Sequence, residues 1–475
     1  RRRGRMTARD DPWFSDDATN PGKKRPRPRA VPADASPLAE AILGVRAKLL
    51  TSNNGSPRKI VANATTIFAL DPRWNGVLAH DALSDRVVKL KAPEWHADDA
   101  PKVSEPGQWT DADTTRAQAW LSREYGLDLG ADTANAAVQA AAERNAFDPL
   151  GDYFGALPPW DGVERIDTFL PVVFRADDTP YTRAIGRRWL ISAVARALRP
   201  GCKVDHVLVL EGLQGKKKST ALERLCPSAD LFFDSELSIG DKDAYQVLRG
   251  KWIVELGELA AISRHDLAIL KAFITRRIDT YRPSFGRRPI DSPRRFLFAA
   301  STNEREYLKD PTGNRRWWPV WCPGPIDIGL IEEARDQLWA EALQALEAGA
   351  PWWLESDDLT AVARVEQEER EQVHPWEEQV AKYLAGLLER AGGPQDHHAP
   401  RCECVRCRGV TTAAVLLGAL GIEPGKQGRA DEGDAGKILR GLGWEKGKLC
   451  RQDGGRVRPY FPPPSQPAPP VVTAL

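Results

Sequence analysis

The chain has 475 residues, of which 42% are hydrophobic and 28% charged, a composition that supports several folded domains and excludes wholesale disorder. No apolar run reaches the roughly 18 residues that cross a bilayer, and no secretory signal follows the basic N-terminus, so we expect a cytoplasmic protein without a membrane partner. Seven scattered cysteines do not form a disulfide framework, and the net charge of +1 conceals a strongly basic internal segment.

The first part of the chain predicts a tail and an accessory domain. Residues 1–36 combine Arg, Lys, Asp and Pro with little apolar content, which is typical of a disordered basic tail. Residues 37–175 show apolar residues at helical spacing, as in TTRAQAWLSREYG (114–126), and predict a mostly helical N-terminal domain. Neither segment contains a catalytic motif, so we expect the chemistry to lie farther along the chain.

Strands and helices alternate in residues 176–355. The apolar runs HVLVL (206–210), WIVEL (252–256) and RFLFAAST (295–302) have the composition of buried strands, and helical patterns separate them. Alternation of this kind predicts an α/β core whose parallel sheet is covered by helices on both faces.

A loop rich in glycine and lysine follows the first of these strands and precedes a helix. Its sequence, GLQGKKKST (212–220), is typical of P-loops, in which backbone amides and a lysine hold phosphates and a hydroxyl holds Mg²⁺. Lys218 and Ser219 fit the last two roles. Lys217 stands where the pattern has glycine, so it must either accept an unfavourable backbone angle or reshape the loop. The residues predicted to bind the nucleotide are Gly212, Gln214, Gly215, Lys216, Lys217, Lys218, Ser219 and Thr220.

Polar residues near the later strands supply what a nucleotide-hydrolysing loop requires. Glu255 and Glu258 have the position and charge to organise Mg²⁺ and the attacking water, and Asn303 has the position to sense the γ-phosphate. Arg315 and Arg316 would stabilise the charge of the transition state from a subunit edge. Together with the loop, these residues predict ATP and Mg²⁺ as cofactors.

The order of these motifs resembles the virulence-associated protein E (VapE) family of phages and mobile elements, which is related to the superfamily 3 helicases of the AAA+ class. The resemblance covers roughly residues 150–355 and rests on LPPWDGVERID, VLEGLQGKKKST, KWIVELGEL, PRRFLFAASTN and YLKDPTGNRRWWPV. It implies a P-loop ATPase core that forms a homo-oligomeric ring, expected to be a hexamer, around single-stranded or forked DNA.

The resemblance also implies roles for individual residues. Lys218 and Ser219 would be the Walker A pair. Either Glu255 or Glu258 would be the Walker B glutamate, and the resemblance does not decide which. Asn303 would be the sensor. Arg315 or Arg316 would be the arginine finger that acts on the ATP of the neighbouring subunit.

Superfamily 3 helicases place a DNA-contacting hairpin between Walker B and the sensor, and the corresponding interval of this chain is basic. From Lys271 to Arg316 there are twelve Lys or Arg against five Asp or Glu, and phosphate contacts from such cations give an affinity that ignores sequence. Tyr281 and Phe285 either stack on bases or pack inside the hairpin. The residues predicted to contact DNA are Lys271, Arg276, Arg277, Arg282, Arg287 and Arg288.

The C-terminal quarter predicts a connection, a small domain and a tail. Residues 356–408 form a helical connection with a Cys/His-rich loop, which is either a structural zinc site or a set of reduced thiols. Residues 409–463 predict two helices and a basic hairpin, either a winged-helix-like domain or a plain packing unit, and residues 464–475 are a Pro-rich tail. The candidate zinc ligands are His397, Cys402, Cys404 and Cys407.

The motifs and the resemblance together predict an ATP-dependent DNA helicase or translocase that acts in replication of a phage, prophage or other mobile element. A primase-polymerase is a further expected partner, because members of the family often work beside one. Two alternatives stay open: an ATP-dependent oligomeric switch that binds DNA without unwinding it, and a DNA-binding scaffold that does not hydrolyse ATP.

Overall fold

The computed structural model describes residues 36–100, 105–235, 242–257, 259, 264–283, 288–308, 313–371, 374–391, 404–452 and 455–463. The chain divides into two units. The first unit comprises Arg1–Glu258, Ala268–Asn303 and Arg316–Thr360, and the second comprises Leu259–Leu267, Glu304–Arg315 and Ala361–Leu475.

Five helices and a small sheet form the N-terminal part of the first unit. The helices are α1 (Pro37–Ala47), α2 (Val61–Leu70), α3 (Asp111–Tyr125), α4 (Ala131–Ala142) and α5 (Pro149–Ala156). The strands are β1 (Leu78–Asp81), β2 (Arg86–Lys89), β3 (Gly107–Gln108) and β4 (Ala146–Phe147), in the order β3-β2-β1-β4. The expectation of a mostly helical region missed this sheet, because its strands of two to four residues are too short to show a period in the sequence.

The rest of the first unit alternates helices and strands. The helices are α6 (Phe169–Phe174), α7 (Pro180–Leu198), α8 (Lys218–Leu225), α9 (Lys242–Leu248), α10 (Arg264–Ile274), which crosses the unit boundary, and α11 (Ile328–Glu347). The strands are β5 (Val207–Glu211), β6 (Phe232–Phe233), β7 (Ile253–Leu256), β8 (Ile278–Tyr281), β9 (Ile290–Pro293), β10 (Leu297–Thr302) and β11 (Trp317–Trp321).

Five of these strands form one parallel sheet in the order β11-β5-β10-β7-β6. Every residue of β5 and β7 is buried, which is why their sequences are continuous apolar runs rather than alternating patterns. The predicted strands HVLVL, WIVEL and RFLFAAST are therefore confirmed, and so is the mixed α/β class with a parallel sheet. Helix α7 is buried on nearly every side, so even its arginines at positions 188 and 196 lie in the interior.

Strands β8 and β9 form a separate antiparallel hairpin between α10 and β10. Its pairs run from Ile278 opposite Pro293 to Tyr281 opposite Ile290. Because Tyr281 and Ile290 form the last pair, Arg282 and Arg288 lie at the far end of the hairpin from α10 and β10.

The second unit contains short helices and two small antiparallel pairs of strands. Its helices are α12 (Asp357–Glu368), which begins in the first unit, α13 (Glu377–Ala391), α14 (Val405–Arg408), α15 (Thr412–Leu420) and α16 (Arg429–Gly441). Its strands are β12 (Glu445–Lys446), β13 (Cys450–Gln452), β14 (Gly455–Val457) and β15 (Tyr460–Phe461), with β12 paired to β15 and β13 to β14. Helices followed by a hairpin agree with the expected order of elements, and the winged-helix assignment stays a prediction.

Across the described ranges, none of the helices combines the length and the apolar character needed to cross a membrane.

Candidate functional site

The candidate site begins where β5 leaves the sheet at its carboxyl edge. Glu211, the last residue of β5, pairs with Thr302 of β10 on one side and with Trp321 of β11 on the other. The Gly212 amide donates a hydrogen bond to the Thr302 carbonyl over 3.1 Å. The loop from Gly212 to Lys217 therefore leaves from the interior of the sheet, between two neighbouring strand ends, and leads directly into α8.

Two glycines give this loop its shape. Gly212 has φ +151°, and a Cβ there would lie 2.5 Å from the Cys322 carbonyl oxygen, closer than atoms can approach. Gly215 has φ +79°, a conformation that other residues rarely adopt. A side chain at position 212 would therefore push β5 and β11 apart, and one at position 215 would strain the turn.

Lys217 adopts the left-handed conformation that glycine would adopt without strain. Its φ of +63° and ψ of +31° place it at the N-cap of α8. The sequence left open whether this lysine accepts an unfavourable backbone angle or reshapes the loop. In the structure it accepts the unfavourable angle. Left-handed backbone costs a residue with a Cβ about 1–2 kcal/mol, so the loop stores strain at the point where α8 begins.

The Lys218 ammonium lies inside the loop rather than in solvent. Its Nζ donates to the carbonyl oxygens of Gly212 over 2.6 Å and Leu213 over 3.2 Å, and to Asn303 Oδ1 over 3.1 Å. Burial lowers the pKa of this amine, while the thiol of Cys322 and the carboxyl of Glu255 oppose that shift. The loop therefore holds one partly desolvated cation at its centre.

Ser219 and Glu255 meet beside this cation. Ser219 Oγ donates to Glu255 Oε1 over 2.9 Å, and Glu255 is only 3% exposed. The second carboxyl oxygen, Oε2, is buried and accepts no hydrogen bond from the described residues. Burial raises the pKa of the Glu255 carboxyl, while hydrogen bonds from the Ser301 and Ser219 hydroxyls oppose that shift. The site thus contains a hydroxyl and a carboxyl oxygen side by side, with one oxygen still able to accept a ligand.

The structure brings four predicted residues together: Lys218, Ser219, Glu255 and Asn303. They come from the start of α8 and the ends of β7 and β10, which meet because β5, β10 and β7 are neighbours in the sheet. Glu258 lies outside the described residues, so the choice between it and Glu255 stays open.

The paired arginines lie elsewhere. Arg316 is half-buried and directly precedes β11, whose first residue, Trp317, pairs with Val207 at the amino end of β5. The loop lies at the carboxyl end of β5, four residues or about 13 Å along the strand. Arg316 therefore does not join the site of its own chain, and Arg315, which is exposed, belongs to the second unit.

The predicted DNA contacts separate into two groups. Lys271 lies on α10 and is only 7% exposed, Arg276 binds the Tyr245 hydroxyl, and Arg277 Nε donates to the Gly201 carbonyl over 2.7 Å. Arg282 and Arg288 are exposed beyond the paired residues of the hairpin, whereas Arg287 lies outside the described residues. The low exposure of Lys271 does not favour a contact with DNA, and the prediction for this residue stays untested.

The aromatic ring of Tyr281 in the hairpin packs inside the protein and is not exposed to solvent. Tyr281 is 7% exposed and stacks on Tyr245, with ring centroids 5.9 Å apart and planes inclined by 15°. The packing alternative is therefore confirmed for Tyr281, and Phe285 lies outside the described residues.

The zinc prediction is not tested by the structure. Cys404 occupies the N-cap position of α14 and Cys407 lies within this helix, whereas His397 and Cys402 lie outside the described residues. Among the residues that are described, no three His, Cys, Asp or Glu side chains are grouped to hold a metal ion.

The sequence prediction missed several residues of the site, among them Asp234 and Cys322. Asp234 follows β6, whose Phe233 pairs with Val254, so its carboxyl lies near Glu255 and contributes to raising the pKa of Glu255. Cys322 follows β11 and is buried against the loop, and burial raises the pKa of its thiol to about 12. Only the order of strands in the sheet brings these residues to the loop.

Comparison with known proteins identifies the segment that holds the site. Residues 156–372 match the family model of the virulence-associated protein E-like domain. This segment is a virulence-associated protein E-like domain. The family predicted from the motifs is thereby confirmed. The loop, Glu255, Asn303 and the hairpin all lie within this VapE-like domain, whereas helices α1–α4 and α13–α16 lie outside it.

Solved structures include distant likenesses to the chain. The apo structure of the NrS-1 C-terminal region (305-718) is 13% identical, with a TM-score of 0.42, and the match covers 81% of this chain and 95% of that one. An A form apo structure of the same region is 12% identical, with a TM-score of 0.41 and the same coverage of both chains. At these TM-scores nothing about function follows from the likeness. No curated protein matches the chain.

Proposed function

We propose that the VapE-like domain binds ATP with Mg²⁺, hydrolyses it, and uses the hydrolysis to move along DNA during replication of a phage or another mobile element. The observation that carries this proposal is the meeting of Lys218, Ser219, Glu255 and Asn303 at the carboxyl edge of a parallel sheet. Ligands of open α/β sheets bind at this edge, and the first turn of α8 offers amides suited to an anion.

The triphosphate of the substrate fits the loop. Lys218 now donates to two carbonyls of its own loop and to Asn303, so its ammonium is already desolvated and oriented at the place where phosphate oxygens would lie. A charge-assisted hydrogen bond to phosphate is stronger than one to a neutral carbonyl. The same contact would place the γ-phosphate within reach of Asn303.

The donors beside the loop also fit Mg²⁺. The Ser219 hydroxyl and the unpartnered Oε2 of Glu255 are hard oxygen ligands, which this cation prefers. When bound, Mg²⁺ neutralises charge on the phosphate oxygens. Glu255 would hold the metal or a water, and its raised pKa favours accepting the proton of an attacking water.

The arginine finger would come from another subunit. Arg316 lies at the amino ends of the strands, whereas the loop of its own chain lies at their carboxyl ends. Arg315 or Arg316 would therefore act on the ATP of a neighbouring subunit in a ring that we propose to be hexameric. Arg282 and Arg288 at the hairpin end would contact the phosphates of single-stranded or forked DNA. A primase-polymerase is the proposed replication partner.

Steady-state ATP hydrolysis of the full chain, with and without single-stranded DNA, tests the proposal beside Lys218→Ala. We expect turnover that DNA stimulates and that Lys218→Ala abolishes. Lys203→Ala is the matched control, because Lys203 is an exposed lysine that precedes β5 and lies outside the loop.

The other outcomes separate the alternatives. Turnover that is indifferent to DNA contradicts the motor and supports an ATP-dependent switch. Nucleotide binding without turnover supports the scaffold, and turnover that survives Lys218→Ala contradicts the site itself.

A further inference from the structure

Arg196 of α7 is a buried cation whose hydrogen bonds all go to backbone carbonyls. It is 2% exposed, and it forms no ion pair with a carboxylate of the described residues. Its Nε is also buried, and it makes no hydrogen bond to any described residue. Burial lowers the pKa of this guanidinium to about 10, so it stays charged at neutral pH. A buried charge that forms no direct ion pair is unfavourable. The Asp279 carboxylate favours the charged form of Arg196, whereas the neighbouring Arg294 and Arg277 oppose it.

The carbonyls around Arg196 come from three separate segments. Its Nη2 donates to Val204, just before β5, over 3.0 Å, and to Arg276, just before β8, over a longer 3.5 Å. Its Nη1 donates to Arg294, just after β9, over 3.4 Å. One guanidinium therefore joins both ends of the β8–β9 hairpin to the approach of β5.

The turn after α7 holds the same root of the hairpin. The Gly201 amide donates to the Arg294 carbonyl over 2.9 Å, and Arg277 Nε donates to the Gly201 carbonyl over 2.7 Å. Within the root, Arg294 forms two hydrogen bonds of 2.7 Å to the Asp279 carboxylate. These contacts fix where the hairpin leaves the sheet.

The hairpin root and the loop lie at opposite ends of one strand. Arg294 precedes β10 by three residues, and β10 leads to Asn303, which accepts a hydrogen bond from Lys218. Strand β10 is hydrogen-bonded to β5 on one side and to β7 on the other, so it connects the root and Asn303 through the interior of the sheet.

We propose that Arg196 is a positioning residue that locks the root of the β8–β9 hairpin to the nucleotide-binding sheet, so that hairpin and strand β10 move as one body. The proposal rests on the proposed function for its consequence: DNA at the end of the hairpin would change hydrolysis at the loop. Without Arg196, the root loses one of its links to α7 and its link to Val204 before β5, while the bonds through Gly201 remain. The contacts among Lys218, Ser219, Glu255 and Asn303 should stay unchanged.

Arg196→Met and Arg196→Lys in the full chain test this link. We expect Arg196→Met to keep the basal rate of ATP hydrolysis and the KM for ATP but to lose about fivefold or more of the stimulation by single-stranded DNA, as an allosteric coupling would. Arg196→Lys keeps the charge but reaches fewer carbonyls, so it should retain part of the stimulation. Arg199→Met is the matched control, because Arg199 is the exposed residue that directly follows the same helix.

Hydrogen exchange supplies a readout that needs no DNA. The amides of Gly201 and Arg294, which bond across the root, should exchange faster in Arg196→Met, while those of Val207 to Leu210 in β5 should not change. Where Arg196→Met does not fold, Arg196→Lys decides by the same two measurements.

Normal exchange at the root together with full stimulation by DNA would overturn the proposal. A wild-type chain that DNA does not stimulate would contradict the proposed function instead. In that case the exchange of Gly201 and Arg294 still decides whether Arg196 holds the root.

Discussion

Lys217 shows how one residue departs from a loop pattern without destroying the loop. Its φ of +63° is the angle that glycine adopts freely, and the residues on either side still bring Lys218 and Ser219 to their partners. The side chain of Lys217 is exposed, so burial does not offset the strain. The loop therefore keeps its geometry at the expense of local stability.

Lys217→Gly should stabilise the VapE-like domain against unfolding by about 1 kcal/mol, because glycine removes the strain of the left-handed backbone. Denaturant-induced unfolding of the full chain, followed by tryptophan fluorescence, measures the change. Lys216→Gly is the control, since it removes the same charge from the neighbouring position, which has no positive φ. Equal effects of the two substitutions would contradict the strain.

Residues of the site that follow one another in the chain could be predicted, and those that only the fold brings together could not. Gly212 to Ser219 form a local pattern, and Asn303 follows an evident strand. Asp234 follows a strand of two residues, and Cys322 reaches the loop because β11 is the neighbour of β5. The residues next to Asp234 and Cys322 in the chain do not predict either contact.

At the scale of elements, some basic residues of the β8–β9 hairpin form contacts within the protein, and others are exposed to solvent. Arg276 and Arg277 are engaged at the root by Tyr245 and Gly201. Arg282 and Arg288 lie at the other end and are exposed. Charge counting along the chain could not separate these groups, because the distinction depends on the register of the two strands.

Arg282→Ala combined with Arg288→Ala should weaken DNA binding and leave basal ATP hydrolysis intact. Each lost phosphate contact should lower the slope of log affinity against log salt by about 1. Fluorescence anisotropy with labelled single-stranded DNA at several salt concentrations measures both quantities. Arg364→Ala with Arg390→Ala, two exposed arginines of α12 and α13, is the control. An unchanged slope in the hairpin variant would exclude the hairpin as the contact.

The strands that the sequence predicted are those with continuous apolar runs, and β11 shows why another was missed. Its sequence WWPVW contains Pro319, which argues against a central strand because proline donates no hydrogen bond to a ladder. In the structure β11 is the edge strand of the parallel sheet, where one side of the backbone needs no partner strand. Its position at the edge, and not its composition, makes the proline tolerable.

At the scale of the whole molecule, Arg316 lies away from the loop of its own chain. The pairing of Trp317 with Val207 places Arg316 at the amino edge of the sheet, while Lys218 follows the carboxyl edge. Under the proposed function, Arg316 would therefore require a second copy of the chain whose ATP it could reach. This requirement makes the proposed assembly testable through activity.

A mixture of Lys218→Ala with the double variant Arg315→Ala, Arg316→Ala should regain part of the ATP hydrolysis that each variant lacks alone. At some interfaces, the intact loop of one chain would meet the intact arginines of the other. A mixture of Lys218→Ala with Asn303→Ala is the control, because both changes damage the same site and no interface can be complete. Full activity of the double arginine variant alone would contradict a role for these arginines.

The N-terminal region and the VapE-like domain share contacts that bear on how the protein can be dissected. Asp85 of the N-terminal region binds Arg249 over 2.8 Å, and Asp148 binds Arg295 over 2.8 Å. Within the VapE-like domain, Leu170 fills the space beside Gly186 of α7. A truncated fragment that starts at residue 176, the boundary predicted from the sequence, would lose all three partners and uncover α7. Crystallisation and screening are therefore better begun with fragments that start before α1.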